Sequence, residues 1–284
     1  MRSEREMYSL ILNTAREDER IRAVILNGSR ANPGSRRDFF QDFDIIYVVR
    51  DVAPFANNPE WIRRFGERMI LQMPEENIHP ECFVYLMQFM DGNRIDLTIY
   101  PQDKLGELPP DSLSVLLLDK DGAIQPFPPP DESGYLPQPP TAKEFFDCCN
   151  EFWWVSPYVA KGLWREELPY ARHMLDDVLR AELMRVITWY IGIHTGFQVS
   201  PGKEGKYLKK YLSPEEWDVL LKTYAGPGYK DAWDALLAMG RLFRKAAQAV
   251  AGHFGFEYPQ EDDRRVSEFL ARMRSLPRDA KEVY

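Results

Sequence analysis

The sequence has few of the residues that build disulfide frameworks or metal centres. It contains 3 cysteines and 4 histidines among 284 residues. The cysteines, at positions 82, 148 and 149, have no spacing typical of metal ligands, and three cysteines cannot all pair with one another. We therefore expect reduced thiols in a cytoplasmic protein. The charged first residues, which include no apolar signal-peptide segment, agree with that expectation.

The sequence also has no long hydrophobic run and no excess of positive charge. No stretch approaches the ~20 consecutive apolar residues that a membrane-spanning helix needs. The formal net charge is −8 at pH 7. This acidic balance disfavours a polynucleotide partner, because nucleic-acid binding depends on Lys and Arg side chains that neutralise phosphates. It favours a small cationic substrate, and we expect neither nucleic acid nor membrane as a partner.

What the sequence does contain is a Gly-Ser turn followed by an Asp-x-Asp motif. One apolar run ends at Gly28 and Ser29, and a second apolar run follows Asp42 and Asp44. Residues i and i+2 of a strand point to the same face, so the two carboxylates can converge on one divalent cation. Gly28 lets the backbone approach a ligand closely, and Ser29 offers an N–H and a hydroxyl to a phosphate. Together they predict a triphosphate held against magnesium.

A third acid lies in a predicted hairpin over residues 83–100, whose return strand carries Asp96 among apolar residues. An unpaired carboxylate at such a position is costly to bury. If this strand lies beside the one with Asp42 and Asp44, the three acids form one cluster. Two Mg²⁺ ions would relieve the repulsion within it. Alternatively, Asp96 forms an ion pair with Arg94 on the same face at a sheet edge.

The other patterns in the first half of the chain predict an α+β fold with one mixed sheet of four or five strands and flanking helices. Beside the hairpin, we expect a helix over 5–20, strands over 22–27, 43–50 and 114–118, and a helix from Asn57 through Gln72.

The second half of the chain predicts a separate helical bundle. Residues 126–140 are rich in proline and predict a semi-rigid extended linker. The capping-box pattern that begins at Thr141 starts the helical half, and Ser213 begins a second one. Helices are expected near 141–163, 167–195, 214–224, 229–254 and 263–275. The predicted domains are therefore 1–135, with the acids, and 136–284, with the helices.

The Gly-Ser turn and the Asp-x-Asp motif resemble the nucleotidyltransferase fold of the DNA polymerase β superfamily. Three segments of the helical half narrow the resemblance: residues 152–163 (FWWVSPYVAKGL), 181–193 (AELMRVITWYIGI) and 202–208 (GKEGKYL). They are similar to the aminoglycoside 6-adenylyltransferases, the group that modifies streptomycin. The similarity covers about residues 1 to 260. It implies magnesium-dependent transfer of AMP from ATP to the 6-hydroxyl of streptomycin, which releases pyrophosphate and inactivates the antibiotic, with the helical domain binding the substrate.

The resemblance gives each acid a role. Asp42 and Asp44 would hold both metal ions, and Asp96 would ligate one of them. An alcohol is a poor nucleophile at neutral pH, so a base must accept its proton. Asp96 is the leading candidate for this base, and Glu182 of the helical domain is the alternative.

Phosphate contacts are expected from the Gly-Ser turn and from basic residues: Gly28, Ser29, Arg30, Lys161, Lys203 and Lys206. Arg30 could equally pair with Asp38. Lys161 could be a surface lysine whose stem lies along apolar residues. Lys203 and Lys206 lie in a glycine-flanked loop, although they could also belong to a solvated basic run.

A substrate that bears guanidinium groups needs acids and aromatic walls. The candidates are Glu182, Asp177, Trp154 and Tyr158. Glu182 lies in an apolar stretch and is the leading substrate acid. Asp177 could instead pair with His173, four residues earlier on a helix. Trp154 and Tyr158 could belong to the core.

Two alternative functions remain open at this point. The first is a nucleotidyltransferase that acts on a protein or RNA acceptor, as in toxin–antitoxin pairs. The second is a non-catalytic nucleotide-binding module. For the assembly, we expect a monomer or a weak homodimer.

Overall fold

The computed structural model describes residues 1–75 and 77–284. It divides into two compact units, Met1–Gly134 and Tyr135–Tyr284. The sequence placed the boundary after residue 135. Within the described part of the segment 126–140, the one regular element is a 3₁₀ turn at Ser133–Tyr135.

Six strands within the described residues form the mixed sheet of the first unit. They are β1 (Ile21–Asn27), β2 (Phe43–Val49), β3 (Arg68–Gln72), β4 (Phe83–Phe89), β5 (Arg94–Pro101) and β6 (Val115–Asp119). Their order in the sheet is β3-β4-β5-β2-β1-β6. The β2–β5 pair is parallel and the other pairs are antiparallel. The predicted α+β class is confirmed.

Helices flank this sheet: α1 (Glu4–Glu17), α2 (Gly28–Ala31) and α3 (Ala53–Ala56), with 3₁₀ turns at Pro59–Phe65 and Gln102–Glu107. Ser3 and Glu6 form a capping box that starts α1. Met7 and Ile11 of α1 are buried in one core with Phe43 and Tyr47 of β2. Because side chains alternate along a strand, this packing leaves Asp44 on the opposite face of the sheet.

The predicted helix from Asn57 through Gln72 is wrong. Only Pro59–Phe65 is helical, as a 3₁₀ turn that buries Trp61 and Phe65. Gly66 then adopts φ +123°, which ends the turn. The remaining residues form β3, an edge strand on which Met69 is 60% exposed. The sheet therefore has one strand more than the four or five predicted.

The second unit is helical, as predicted. Its helices are α4 (Ala142–Trp164), α5 (Leu168–His173), α6 (Arg180–Thr195), α7 (Pro214–Leu221), α8 (Tyr229–Phe254) and α9 (Gln260–Ser275). Both predicted capping boxes are confirmed, since the side chains of Thr141 and Ser213 accept from backbone N–H groups three residues on. The expected helix over 167–195 is interrupted by a π-helical segment, Met174–Leu179. Among the described residues, we find no helix long and apolar enough to cross a membrane.

Candidate active site

The sheet brings two of the predicted acids side by side. Asp44 of β2 pairs in register with Asp96 of β5, and on its other side it pairs with Asn27 of β1. Partners in register point to the same face of a sheet, so these three side chains form one row. Asp42 lies two residues before Asp44, where β2 begins, and its side chain is 37% exposed. We use the name acid row for the three acids alone, which are Asp42, Asp44 and Asp96, and we treat Asn27 as their neighbour.

Gly28 lies directly against this row. Its φ is +72°, and a Cβ atom at this position would lie 2.2 Å from Asp44 Oδ2. Any side chain here would collide with the carboxylate, so the close approach requires glycine. The Gly-Ser turn and the acid row are therefore in contact. Ser29 follows, with its hydroxyl oxygen 3.4 Å from Gln41 Nε2.

Arg94 joins the acid row. Its Nε and Nη2 atoms each lie 2.7 Å from a different oxygen of Asp96, and Nε is 3.6 Å from Asp42 Oδ2. The ion pair that the sequence allowed as an alternative is thus present together with the row. Within residues 1–75 and 77–284, no three acid, His or Cys side chains converge as metal ligands. One guanidinium supplies the positive charge between Asp42 and Asp96.

The pKa values show that this charge does not fully compensate the acids. Burial, followed by repulsion from Asp96 and Asp42, raises the pKa of Asp44 to about 6. Burial also raises the pKa of Asp42, although Arg94 acts in the opposite direction. A further cation would relieve this repulsion, and carboxylate oxygens are the hard ligands that Mg²⁺ prefers. The chemistry of these carboxylates therefore suits a hard cation such as Mg²⁺, although they do not converge on one point in this arrangement.

Sequence reasoning missed three residues around this row. Asp111 precedes β6, and its charge contributes to the raised pKa of Asp44. Ser114 Oγ donates a hydrogen bond of 2.9 Å to Asn27 Oδ1, which fixes the orientation of the Asn27 amide beside Asp44. Asn27 could have been found, because it immediately precedes the Gly-Ser turn. Asp111 and Ser114 become neighbours only through the pairing of β6 with β1.

Arg30 is held by contacts within its own unit, and its predicted phosphate contact stays a prediction. Its guanidinium donates to the carbonyls of Gln41 and Asp42 at 2.6 and 3.0 Å and stacks over the ring of Phe43 at 3.7 Å. Its Nη1 also lies 3.2 Å from Glu4. These partners occupy the side chain, which is 6% exposed. Arg30 therefore fixes the backbone that leads into β2, and it reaches the acid row through the backbone carbonyl of Asp42.

In the helical unit, three of the predicted residues share one groove. Trp154, Tyr158 and Lys161 of α4 line a groove of about 560 Å³ whose other wall includes Pro259 and residues of α9. Trp154 is 63% exposed, and Lys161 Nζ lies 5.8 Å from the ring centre of Tyr158. Trp154 is thus outside the core.

Lys203 lines a different groove of about 610 Å³, together with Arg185 of α6. The loop at this groove is strained, because Glu204 adopts φ +53°, which non-glycine residues rarely adopt. Lys206 lies outside the groove lining, with its Nζ 5.1 Å from the ring centre of Tyr207.

Neither of the two predicted substrate acids belongs to the lining of these grooves. Glu182 is 8% exposed, and Arg185 Nη1 lies 3.1 Å from its Oε2 without the geometry of a hydrogen bond. Oε2 has no hydrogen-bond partner among the described residues. Asp177 is exposed, and its Oδ2 lies 2.6 Å from His173 Nδ1, which is the alternative pairing allowed by the sequence. The four substrate candidates therefore do not form one cluster within this unit.

A mixed sheet with an acid row against a Gly-Ser turn, followed in the chain by a helical unit, defines a protein of the nucleotidyltransferase class. A family model described as streptomycin adenylyltransferase matches residues 1–273. The chain belongs to this family.

Its curated relatives carry one name, aminoglycoside 6-adenylyltransferase. The protein of Bacillus subtilis (strain 168) is 43% identical over 272 residues, which cover 93% of this chain and 95% of the relative. The protein of Campylobacter jejuni is 42% identical, with 96% of each chain covered. The protein of Staphylococcus aureus is 36% identical over 95% of this chain and 98% of the relative. A solved aminoglycoside 6-adenyltransferase from Bacillus subtilis aligns with 37% identity over 97% of this chain and 100% of its own, with a TM-score of 0.49.

Proposed function

We propose that this protein transfers AMP from ATP to the 6-hydroxyl of streptomycin and releases pyrophosphate. The acid row, in contact with the Gly-Ser turn, is the observation that carries the proposal. It combines a place for divalent cations with a backbone that can approach phosphates. The names of the family and of the relatives support streptomycin as the acceptor and position 6 as the site of transfer.

In this reaction, the bond between the acceptor oxygen and the α-phosphorus forms as the bond from that phosphorus to pyrophosphate breaks. Catalysis of such an in-line displacement consists mainly of positioning and charge stabilisation. Two Mg²⁺ ions would neutralise the charge that develops on the phosphate oxygens. Asp42, Asp44 and Asp96 would hold these ions, and the backbone of Gly28 and Ser29 would receive the β- and γ-phosphates.

Asp96 is the proposed acceptor of the hydroxyl proton, with Glu182 as the alternative. Asp96 is 22% exposed in its side chain, and Arg94 orients its carboxylate through two hydrogen bonds. Each Asp96 oxygen retains a lone pair beside its hydrogen bond with Arg94, and that lone pair can receive a proton. Activity that persists in Asp96→Asn but disappears in Glu182→Gln would transfer the role to Glu182.

The helical unit would supply cations for the phosphates and walls for the acceptor. Lys203 shares its groove with Arg185, which also lies 3.1 Å from Glu182, and these two cations are the proposed partners of phosphate oxygens. Trp154 and Tyr158 offer aromatic faces to a guanidinium group. Lys161, Lys206 and Asp177 stay as further proposed contacts.

The test is to incubate the protein with ATP, Mg²⁺ and streptomycin, then to measure pyrophosphate and the mass of the drug. We expect one AMP group per streptomycin and no turnover with kanamycin, which lacks the streptidine ring. Omission of Mg²⁺ with added chelator should stop the reaction. Labelled AMP found on protein or RNA instead of drug would support the alternative acceptors. Binding of ATP and drug without pyrophosphate release would support a non-catalytic module.

A further inference from the structure

A cavity of about 710 Å³ lies on the face of the sheet that carries the acid row. Ile25, which lines it, is two residues before Asn27 on β1 and so shares the face of Asn27 and Asp44. Ser114 lines it as well, and its hydroxyl is hydrogen-bonded to the Asn27 side chain. The cavity therefore begins beside the acid row, at the end of β1 that leads into the Gly-Ser turn.

The walls of this cavity are largely apolar and come from three separate segments. Their apolar side chains include Ile25, Leu105, Leu108, Ile124 and Phe127. Asp111 is the one charged side chain in the lining, as far as the described residues show, and neither Lys nor Arg takes part. Removing an uncompensated charge from water is costly. Such walls disfavour both a phosphate, which would find no cation, and a multiply charged aminoglycoside, which would find one carboxylate.

We propose, on the basis of the proposed function, that this cavity binds the purine base of ATP. The base is the uncharged, flat, aromatic part of the two substrates, so its faces match apolar walls and its ring edge matches the few polar groups. The volume lies within the range of roughly 300–1,000 Å³ that is usual for small-molecule sites. The Ser114 hydroxyl donates its hydrogen to Asn27 and retains lone pairs that can accept from the amino group of adenine.

The test separates binding of the base from binding of the phosphates. Ala123 is exposed at the cavity wall, so Ala123→Trp narrows the cavity without disturbing the core. Phe127→Ala removes one apolar wall. Titration calorimetry with Mg²⁺ would measure the Kd of each variant for ATP and for inorganic tripolyphosphate, which has the phosphates but no base. We expect the Kd for ATP to rise about tenfold in Ala123→Trp, a loss of about 1.4 kcal/mol. The Kd for tripolyphosphate should stay within about twofold of the wild-type value.

Phe39→Ala is the matched control, because Phe39 is an exposed phenylalanine of the same unit that does not line this cavity. It should leave both Kd values unchanged. Unchanged ATP binding in both cavity variants, or an equal loss for ATP and tripolyphosphate, would overturn the proposal. In either case, streptomycin adenylylation by the wild-type protein would still support the proposed function. Selective loss of ATP binding in a protein without transferase activity would support the base site and reject that function.

Discussion

Asp44 in the sheet unit and Asp263 in the helical unit are both acids largely withheld from solvent, but their surroundings differ. Burial would raise the pKa of Asp263, but hydrogen bonds from Arg244, Tyr258 and Ser267 outweigh it, and the net shift is downward. Among the described residues, Asp44 has no such donor and lies beside other acids, so burial and repulsion from Asp96 and Asp42 raise its pKa to about 6.

The same contrast holds for Glu216 in the helical unit. Hydrogen bonds from Lys245 and Tyr190 lower its pKa to about 2 against the effect of burial. A buried acid that is fully paired holds a fold together, whereas one that is left partly uncompensated has capacity for a ligand. From this contrast we infer a structural role for Asp263 and Glu216 and a ligand-binding role for Asp44.

The largest expected effect is on catalysis by Asp44→Asn. This change removes a ligand from the proposed metal site, so transfer should fall by about a thousandfold or more. The free energy of unfolding should not fall, because an uncompensated charge is removed. Pyrophosphate release and thermal unfolding measure the two effects. Near wild-type turnover would contradict the role of the acid row.

Asp263→Asn should show the reverse pattern, in which the free energy of unfolding falls and no proposed metal ligand is removed. It leaves Arg244 without its charged partner, and because the Arg244 side chain is 34% exposed the loss should be roughly 1–3 kcal/mol, less than for a fully buried pair. Denaturant unfolding would show this loss. A change below about 1 kcal/mol would mean that the pairing of Asp263 is not structural.

A smaller effect, on the affinity for metal ions, is expected from Arg94→Met. Because the guanidinium competes with metal ions for Asp96 and Asp42, its removal should tighten binding of Mn²⁺ to the nucleotide-free protein about tenfold. Turnover should fall at the same time, since Asp96 loses the group that orients it. Arg2→Met is the matched control, because Arg2 pairs with Asp91 outside the acid row. Weaker Mn²⁺ binding in Arg94→Met would show that Arg94 supports the metal site.

The smallest expected effect is on pH dependence. The pKa of Asp44 in the folded protein, about 6, is above its ordinary value of 3.8. The folded state therefore binds this proton more tightly than the unfolded state, and the resulting stabilisation is lost as the pH rises through about 6. Metal ions compete with the proton, so Mn²⁺ affinity should rise over the same interval. Calorimetry at about pH 5 and about pH 7 should show this rise in the wild-type protein and a weaker one in Asp44→Asn.

Local patterns predicted much of this molecule. The acid row follows from the alternation of side chains in strands, and the capping boxes follow from residues three positions apart. The failures come from interactions between distant segments. Trp61, Phe65 and Met69 have helical spacing, but Met69 lies on an edge strand that forms through pairing with β4. Asp111 approaches Asp44 because β6 pairs with β1, a strand far earlier in the sequence, which no local pattern reveals.

The contact between Gly28 and Asp44 has a consequence for anyone who wishes to engineer this enzyme. The turn and the acid share one volume of space, so neither can be redesigned independently of the other. A single extra methyl group, as in Gly28→Ala, would displace the carboxylate while every ionisable side chain stayed in the sequence. We expect such a variant to be inactive while it keeps the wild-type net charge. It would therefore be a better control in binding studies than any variant that lacks an acid.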